Sequence, residues 1–282
     1  MDISVVVCTK DRSAALRGCL KSIFAIDFTG TWEIVVVDNN SGDDTPQAIA
    51  EMRYLSPVPF QSLVESRPGN SAGRNAAIGV ARGEVVFFTD DDCIVKSNVL
   101  QEVWRVFTAN PGLGYAGGRI LRFNPLDYPI SVMEEPESIG IPPGTMVYPG
   151  IVQGSNMAFR RKVLTDLGGF DPVFGAGAVF AGEELELATR ASLRGWRGGY
   201  FPGPTVYHNH GRDRAAAMKL EQQYDFGIGA CYGKFLCDAR TRWICILTWC
   251  RRGLKQLFRH PSGLPRQLAG AISYARSRGS HA

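Results

Sequence analysis

Three consecutive aspartates, Asp90, Asp91 and Asp92, are the residues whose types and spacing most directly suggest chemistry. Unit charges ~4 Å apart repel each other by roughly 1 kcal/mol in water and by about 4 kcal/mol at an effective dielectric constant of 20. We therefore expect a compensating cation. Mg²⁺ and Mn²⁺ prefer carboxylate oxygens and commonly keep substrate phosphates as further ligands. The alternative is a solvated turn in which an aspartate caps the next helix.

Four short β-branched runs each lead directly into a polar cluster. The runs are 3–7, 34–37, 62–65 and 85–88, and the clusters are 9–12, 38–40, 65–67 and 90–92. In an open α/β sheet the carboxyl ends of parallel strands line one rim, where ligands bind. The spacing therefore predicts that four polar clusters meet at one place.

Amphipathic stretches separate these runs and must position them. Leu16, Leu20 and Ile23 recur at helical spacing, and the stretches 71–81 and 100–107 are further helix candidates. Alternation of strands and helices is typical of a mostly parallel sheet covered by helices. The expected fold class is α/β. The proportions of 45% hydrophobic and 21% charged residues exclude global disorder.

The ordered motifs resemble glycosyltransferase family 2. In chain order they read VVVCTKDR, VVVDNNS, GRN, FTDDD, GGR, GSN, LGGFD and EELELATR, and they extend over about residues 3–210. The resemblance implies a Rossmann-like GT-A fold, a nucleotide-diphosphate sugar donor, Mn²⁺ or Mg²⁺, and inversion at the anomeric carbon. UDP is the expected nucleotide by family frequency. The implied GT-A domain is residues 1–238, with a nucleotide-binding half at about 1–120 and an acceptor-binding half at about 121–238.

The resemblance also implies site residues on the donor side. Asp92 would ligate the metal, and the nucleotide contacts would be Thr9, Asp11, Arg12, Asp38, Asn39, Arg74, Asp90 and the ambiguous Asp91. Local alternatives stay open. Asp11 can simply cap a helix, Asp38 and Asn39 can simply form a turn, and Arg74 can be a surface cation.

An inverting transfer needs a general base that deprotonates the acceptor hydroxyl. Two adjacent carboxylates can raise one another's pKa by repulsion, and the Glu183-Glu184 pair fits this requirement. The family usually has Glu-Asp here, with the second residue as base, so the resemblance favours Glu184 and keeps Glu183 as the alternative. The pair can also be acidic residues at a helix start.

Two further segments acquire roles through the resemblance. His208 matches a family position that often supplies an additional metal contact, while the alternative is a solvated loop histidine. Gly154, Ser155 and Asn156 match the segment beneath the donor sugar and acceptor, where small residues permit close approach. The same three residues can form an ordinary turn.

The C-terminal segment differs sharply in charge from the rest. Residues 239–282 hold nine Lys or Arg and no Asp or Glu, whereas 1–238 hold 22 basic and 27 acidic residues. A helical wheel over 240–259 predicts a basic amphipathic helix, stopped by Pro261 and Pro265, with Trp243 and Trp249 near lipid headgroups. Alternatively, its apolar face docks on the body or forms a homodimer. Nucleic-acid binding is disfavoured because no recognised module accompanies the charge.

Seven cysteines without metal-ligand spacing indicate reduced thiols. We expect a cytoplasmic protein, peripheral on the membrane face if the extension binds lipid. The expected function is metal-dependent inverting transfer of a sugar to a hydroxyl of a glycan, lipid-linked or other acceptor. The main alternative is a catalytically silent member that binds a sugar nucleotide or a partner. A nicotinamide enzyme is disfavoured because no Gly-x-Gly-x-x-Gly follows Val7.

Overall fold

The computed structural model describes residues 1–259 and 262–279. The strands are β1 (Ile3–Thr9), β2 (Trp32–Asp38), β3 (Phe60–Val64), β4 (Val85–Asp90), β5 (Cys93–Val95), β6 (Leu113–Arg122), β7 (Ile139–Ile141), β8 (Met157–Arg160) and β9 (Arg197–His208). The helices are α1 (Ser13–Phe24), α2 (Thr45–Leu55), α3 (Asn70–Val80), α4 (Val99–Ala109), α5 (Arg161–Leu167), α6 (Glu183–Leu193), α7 (Arg214–Cys237), α8 (Arg242–Arg259) and α9 (Gly263–Gly279).

The strands of the described residues form one sheet in the order β3-β2-β1-β4-β8-β6-β9-β5, and β7 pairs with β9. The first four strands are parallel, as the sequence predicts. The second half is mixed, because β8 runs antiparallel between β4 and β6, and β5 and β7 run antiparallel to β9. The α/β prediction is therefore confirmed, but the parallel arrangement is limited to β1–β4 and the β6–β9 pair.

Both faces of the sheet are buried, which explains the continuous apolar runs in β1, β2 and β4. Because successive side chains point to opposite faces, Val6 and Phe88 enter one core layer, whereas Val5 and Phe87 enter the other. The first layer includes residues of α3, α5, α6 and α7, and the second includes residues of α1, α2 and α4. The sheet is thus held rigidly from both sides.

The C-terminal chain forms two helices where the sequence predicts one. Pro265 does not stop a helix but lies in the first turn of α9, where a missing N–H costs nothing. Pro261 lies outside the described residues. The helix α9 packs closely on α7, since a Cβ on Gly229 would lie 1.9 Å from the carbonyl oxygen of Gln267.

The helix α8 also contacts the body. The Trp249 ring stacks on Tyr232 with 5.1 Å between ring centroids and is only partly exposed, and its position near headgroups remains a prediction. Buried Arg252 donates to Tyr232 and to the carbonyl oxygen of Met146. Part of the extension is therefore fixed to the preceding fold. None of the helices within 1–259 and 262–279 combines the length and apolar character needed to span a bilayer.

Candidate active site

The carboxyl ends of three parallel strands bring the predicted residues together. In the sheet register Thr9 is paired with Asp38, and Cys8 with Asp90. A cavity of about 520 Å³ opens at this rim. Of the predicted site residues, those that line it are Thr9, Arg12, Asn39, Arg74, Asp90, Asp91, Asp92, Gly154, Glu183, Glu184 and His208.

Arg12 connects two of the three aspartates. Its guanidinium donates to Asp91 Oδ1 and to Asp92 Oδ2, each at 2.8 Å. Thr9 Oγ1 donates to the other oxygen of Asp91 at 2.7 Å. Burial raises the pKa of Asp91 to about 7, although the charge of Arg12 opposes this. Both oxygens of Asp91 are therefore engaged within the protein, which suits a structural role for this middle aspartate.

Asp92 and His208 form the centre that best fits a metal ion. Antiparallel pairing of β5 with β9 sets Cys93 opposite His208, and His208 Nε2 lies 3.2 Å from Asp92 Oδ1. Both side chains are buried, and Asp92 Oδ1 and His208 Nδ1 lack a hydrogen-bond partner among the described residues. A carboxylate oxygen and an imidazole nitrogen are ligands that Mn²⁺ accepts. The pair thus fits a divalent cation.

The thiol of Cys93 belongs to the same group of potential ligands, and the sequence analysis missed it. Potential ligand atoms of Asp92, Cys93 and His208 all lie within 4.8 Å of one another. Burial raises the pKa of the Cys93 thiol well above its ordinary value, so the thiolate that binds metals is disfavoured. Hard Mg²⁺ and Mn²⁺ prefer oxygen ligands. The oxygen of Asp92 is therefore the better ligand.

The pKa values of the two metal-ligand candidates, Asp92 and His208, shift in opposite directions. Burial raises the pKa of Asp92, but the attraction of His208 and Arg12 is larger and holds that pKa below its usual range. Burial lowers the pKa of His208, but its interaction with Asp92 outweighs burial and raises it. In the metal-free protein the two side chains thus stabilise each other's charged forms.

Arg74 is an internal cation rather than a surface one. It lies in α3 with 2% of its surface exposed, and its Nη1 donates to Glu183 Oε1 at 2.6 Å. Its Nη2 donates to Asp90 Oδ1 at 3.2 Å and to the carbonyl oxygen of Gly154 at 3.3 Å. The surface-cation alternative is therefore wrong. Arg74 connects the aspartate rim to the first residue of α6.

The two neighbouring glutamates have different surroundings. Gly182 has φ +96°, a left-handed conformation that favours glycine, and α6 begins directly after it. Both glutamates line the cavity, but Glu183 is paired with Arg74, whereas Glu184 forms no ion pair with an arginine or lysine of the described residues. Burial, and next the negative charge of Glu183, raise the pKa of Glu184 well above its ordinary value. A carboxyl group tuned in this way suits general base catalysis near neutral pH.

Two of the predicted nucleotide contacts do not line the cavity. Asp11 is exposed at φ +53° and accepts a hydrogen bond from the backbone N–H of Gly42 at 2.6 Å. Buried Asp38 accepts one from the N–H of Ser41 at 2.9 Å. These carboxylates connect the loops after β1 and β2, which agrees with the local alternatives. A nucleotide contact by Asp11 or Asp38 remains a prediction.

Asn39 combines a position on the cavity with a structural task. Its Nδ2 donates to the carbonyl oxygens of Glu65 and Arg67, at 2.8 and 2.7 Å. Its Oδ1 accepts from the N–H of Gly69 at 3.0 Å, directly before α3. The amide thereby joins the end of β2 to the loop between β3 and α3. It shapes the wall that any nucleotide would contact.

The three residues of the Gly-Ser-Asn motif point in different directions. A Cβ on Gly154 would lie 2.7 Å from Arg74 Nη2, so glycine permits the close approach of that guanidinium. Ser155 is buried, and its carbonyl oxygen accepts from Thr89 Oγ1 at 2.8 Å. Asn156 instead donates to the carbonyl oxygens of Arg119 and Pro204 away from the cavity. Asn156 therefore does not line this cavity, and a position beneath the sugar remains a prediction.

Other cavity residues lacked a recognisable sequence signal. Lys10 lies next to Thr9 in the first motif. Arg212 lies just before α7, and Gln223 and Tyr224 lie within α7, far along the chain from the motifs. An adjoining cavity of about 250 Å³ shares Asp90, Glu184, His208 and Tyr224 with the first. Its remaining wall is partly apolar and includes Ile130, Val132, Pro149, Leu185 and Ile228. Two connected spaces thus meet at Glu184.

Comparison with known families agrees with this arrangement. The family model described as Glycosyl transferase family 2 matches residues 4–168, which is more than half of the chain. The chain belongs to glycosyl transferase family 2. A second model, Glycosyl transferase family group 2, matches residues 143–277 of this family 2 chain. The resemblance inferred from the ordered motifs is therefore confirmed.

Relatives of this family 2 chain are similar over only part of their length. A poly(ribitol-phosphate) β-N-acetylglucosaminyltransferase TarS of Staphylococcus aureus is 32% identical over 36% of the chain and 18% of the relative. A GalNAc(5)-diNAcBac-PP-undecaprenol β-1,3-glucosyltransferase of Campylobacter jejuni is 31% identical over 42% and 38%. An uncharacterized Sinorhizobium fredii protein is 24% identical over 79% of the chain. The chain spans 26% of that protein's length.

Solved structures share the fold of this family 2 chain. A mannosyltransferase from Pyrobaculum calidifontis, in complex with GDP-Man and Mn²⁺, has a TM-score of 0.68 and 23% identity over 98% of this chain and 75% of that one. Residues 1–349 of Staphylococcus aureus TarS have a TM-score of 0.64 and 20% identity over 99% and 74%. The GT-A fold predicted from the motifs is thus confirmed.

Proposed function

We propose that this protein is a metal-dependent, inverting glycosyltransferase that moves a sugar from a nucleotide-diphosphate sugar to an acceptor hydroxyl. The single observation that carries this proposal is the cavity shared by Glu184, Asp92 and His208. Their neighbours Glu183 and Asp91 are occupied by internal partners. One cavity is therefore lined by a base and by a pair of metal ligands.

Two cations support an anionic donor. Lys10 and Arg212 line the cavity, and neither forms an ion pair with a carboxylate in the part of the chain that is described. A diphosphate would supply the missing negative charge. UDP is the nucleotide that we propose, since TarS, a family relative, has been crystallised with UDP-GlcNAc.

Asp92 and His208 would hold the cation, either Mn²⁺ or Mg²⁺. When bound, such an ion neutralises negative charge that grows on a leaving diphosphate. Beyond its 3.2 Å contact with His208 Nε2, the buried Oδ1 of Asp92 has no hydrogen-bond partner among the described residues. This supports the assignment, because burying a poorly satisfied carboxylate oxygen is unfavourable. Arg12, held between Asp91 and Asp92, positions the Asp92 carboxylate at the rim.

Glu184 would accept the proton of the acceptor hydroxyl. Its carboxylate borders both cavities, so an acceptor in the smaller, partly apolar space could meet a donor in the larger one. Glu183 is the weaker candidate because Arg74 Nη1 already contacts it at 2.6 Å. Asp90, also on both cavities, is available to a ribose hydroxyl through the oxygen that Arg74 leaves open.

The acceptor that we propose is a glycan or a lipid-linked glycan. Family relatives bear names that state a poly(ribitol-phosphate) acceptor and an undecaprenol-linked acceptor. Both names describe an extended chain that carries phosphate. The partly apolar wall of the smaller cavity would suit the face of a sugar ring.

Calorimetry with a panel of nucleotide sugars, with Mn²⁺ or with a chelator, tests the donor and metal assignments together. We expect one donor to bind, and chelation to weaken its binding. A turnover assay with the preferred donor then separates an enzyme from a silent sugar-nucleotide binder. Donor binding that is indifferent to the chelator would contradict the role given to Asp92. Binding without turnover on any glycan acceptor would favour the silent alternative.

A further inference from the structure

The outer face of α8 carries an exposed apolar stripe formed by Trp243, Leu247, Cys250 and Leu254. The exposed fractions are 72% for Trp243, 60% for Leu247 and 63% for Leu254, and Cys250 is also exposed. At 100° per residue these four positions lie within an arc of about 60° around the helix. They form a continuous strip rather than scattered surface residues, and we call it the α8 stripe.

The opposite face of α8 is already fixed to the protein. Cys245 is fully buried, and Trp249 stacks on Tyr232. The buried guanidinium of Arg252 lies 3.6 Å from the centre of the Tyr148 ring and also donates to the carbonyl oxygen of Met146. With its inner face held in this way, α8 cannot rotate to bury the stripe without losing these contacts. The stripe therefore stays accessible to a partner.

Positive charge surrounds the α8 stripe. Arg251 is exposed one position beyond Cys250, and Arg240 is exposed in the turn before the helix. Residues 239–282 contain no acidic residue. The exposed Asp238 accepts a hydrogen bond from the N–H of Arg240, but it lies before the helix and away in sequence from Arg251. An apolar strip flanked by arginines is the pattern of a helix that lies in the interface of a membrane. We propose that the α8 stripe binds the surface of a membrane containing anionic phospholipid.

A second copy of the chain fits this surface less well. Two-fold contacts bring the same patch of both copies together, so the arginines beside one stripe would face those beside the other. Nucleic acid would use the charges but leave the exposed tryptophan and leucines in water. An anionic lipid surface satisfies both properties at once, because headgroups attract arginines while the apolar residues enter the acyl boundary.

Vesicle co-sedimentation of the full chain tests the proposal. We expect binding to vesicles of phosphatidylcholine mixed with phosphatidylglycerol, weaker binding to phosphatidylcholine alone, and release as salt rises. Leu247→Glu should weaken vesicle binding by about tenfold or more. It removes a leucine that would be buried in the lipid, and its negative charge is repelled by the anionic headgroups. Arg251→Gln should weaken it by about fivefold, as expected for one cation near an anionic surface.

The matched control is Leu55→Glu. Leu55 is 56% exposed at the end of α2, a helix that packs on the other core layer of the sheet. This variant should bind vesicles as the unaltered protein does, and circular dichroism should give the same unfolding temperature for all variants. The assay contains neither donor nor acceptor, so its result is independent of the proposed transfer reaction.

Three results would overturn the proposal. The first is equal vesicle binding by the unaltered protein and Leu247→Glu. The second is a concentration-dependent dimer, seen by light scattering and abolished by Leu247→Glu, in a protein that does not bind vesicles. That result would assign the stripe to a second copy. The third is binding of the protein to duplex DNA but not to anionic vesicles, where Arg251→Gln weakens the DNA binding and Leu247→Glu does not.

Discussion

Arg74 Nη1 lies 2.6 Å from Glu183 Oε1, and this contact joins residues that are 109 positions apart in the chain. It distinguishes two adjacent glutamates that are otherwise chemically alike. Because Arg74 also donates to Asp90, the same guanidinium connects α3, the end of β4 and the start of α6. Glu183 is thus held by Arg74, whereas Glu184 borders both cavities.

Glu184→Gln should abolish sugar transfer while leaving donor binding unchanged within about twofold. The amide cannot accept a proton from the acceptor, and general base catalysis contributes roughly 10²- to 10⁴-fold to a rate. Turnover and donor calorimetry on the same preparation check this. Glu221→Gln, at an exposed position of α7, is the matched control and should keep full activity. Unchanged turnover in Glu184→Gln would remove Glu184 as the base.

The raised pKa of Glu184 predicts a particular pH dependence. A general base works as the carboxylate, which forms only above its pKa, so kcat/KM should fall as the pH drops through that value. Because burial and then Glu183 raise the pKa, the fall should occur well above ~4.3, the ordinary value of glutamate. The measurement is a pH profile of kcat/KM, with circular dichroism at each pH to exclude unfolding. A profile that is flat down to the ordinary glutamate range would contradict the prediction.

Asp92→Asn should weaken Mn²⁺ binding by at least about tenfold, and His208→Ala should act in the same direction. Asp92→Asn removes the negative charge of one ligand, and His208→Ala removes the nitrogen ligand. Titration calorimetry with Mn²⁺ alone measures the effect without any substrate. Cys93→Ala is the informative comparison and should leave affinity nearly unchanged, because burial disfavours the thiolate. Strong loss in Cys93→Ala, with little loss in Asp92→Asn, would replace the proposed ligand set.

Arg74→Met should lower the free energy of unfolding by about 3–5 kcal/mol, because it leaves buried carboxylates without their cation. Urea unfolding followed by fluorescence measures the change. Arg105→Met is the control: it removes a 2.7 Å arginine–glutamate contact on α4, from an arginine side chain that is 62% exposed and a partner, Glu102, that is 22% exposed. That variant should cost less than about 1 kcal/mol. Similar losses of unfolding free energy in both variants would contradict the idea that the buried ion pairs of Arg74 stabilise the fold more than an exposed pair does.

Gly229→Ala should destabilise the contact between α7 and α9. The new Cβ would lie 1.9 Å from a backbone oxygen of Gln267, so one helix must move. Gly79→Ala, in α3, has no neighbouring atom within 4 Å and should be neutral or stabilising by up to about 1 kcal/mol. The unfolding temperatures of the two variants, and the rate of limited proteolysis in the chain that follows α7, measure the effect. Equal stability of both variants would contradict the close packing of α9 on α7.

Residue patterns alone determined the first half of the fold. The β-branched runs before Thr9, Asp38 and Asp90 form parallel strands, and the apolar spacing around Leu16 and Leu100 marks helices that cover them. Such predictions succeed because the period of the hydrophobic pattern is a local property of the chain. The mixed pairing around β8 and the second C-terminal helix depend on distant contacts, and their sequences carry no comparable signal.

The sequence by itself also determined which residue types gather at the rim, including the aspartate triplet, the two glutamates and His208. Only the tertiary structure decided that Arg74 pairs with Glu183 and not with its neighbour Glu184. Arg12 forms ion pairs with both Asp91 and Asp92. Arg74 forms an ion pair with Glu183 and leaves Glu184 available in the cavity. Neighbouring acids look the same in a sequence, because their environments are set by partners roughly 80 to 110 residues away.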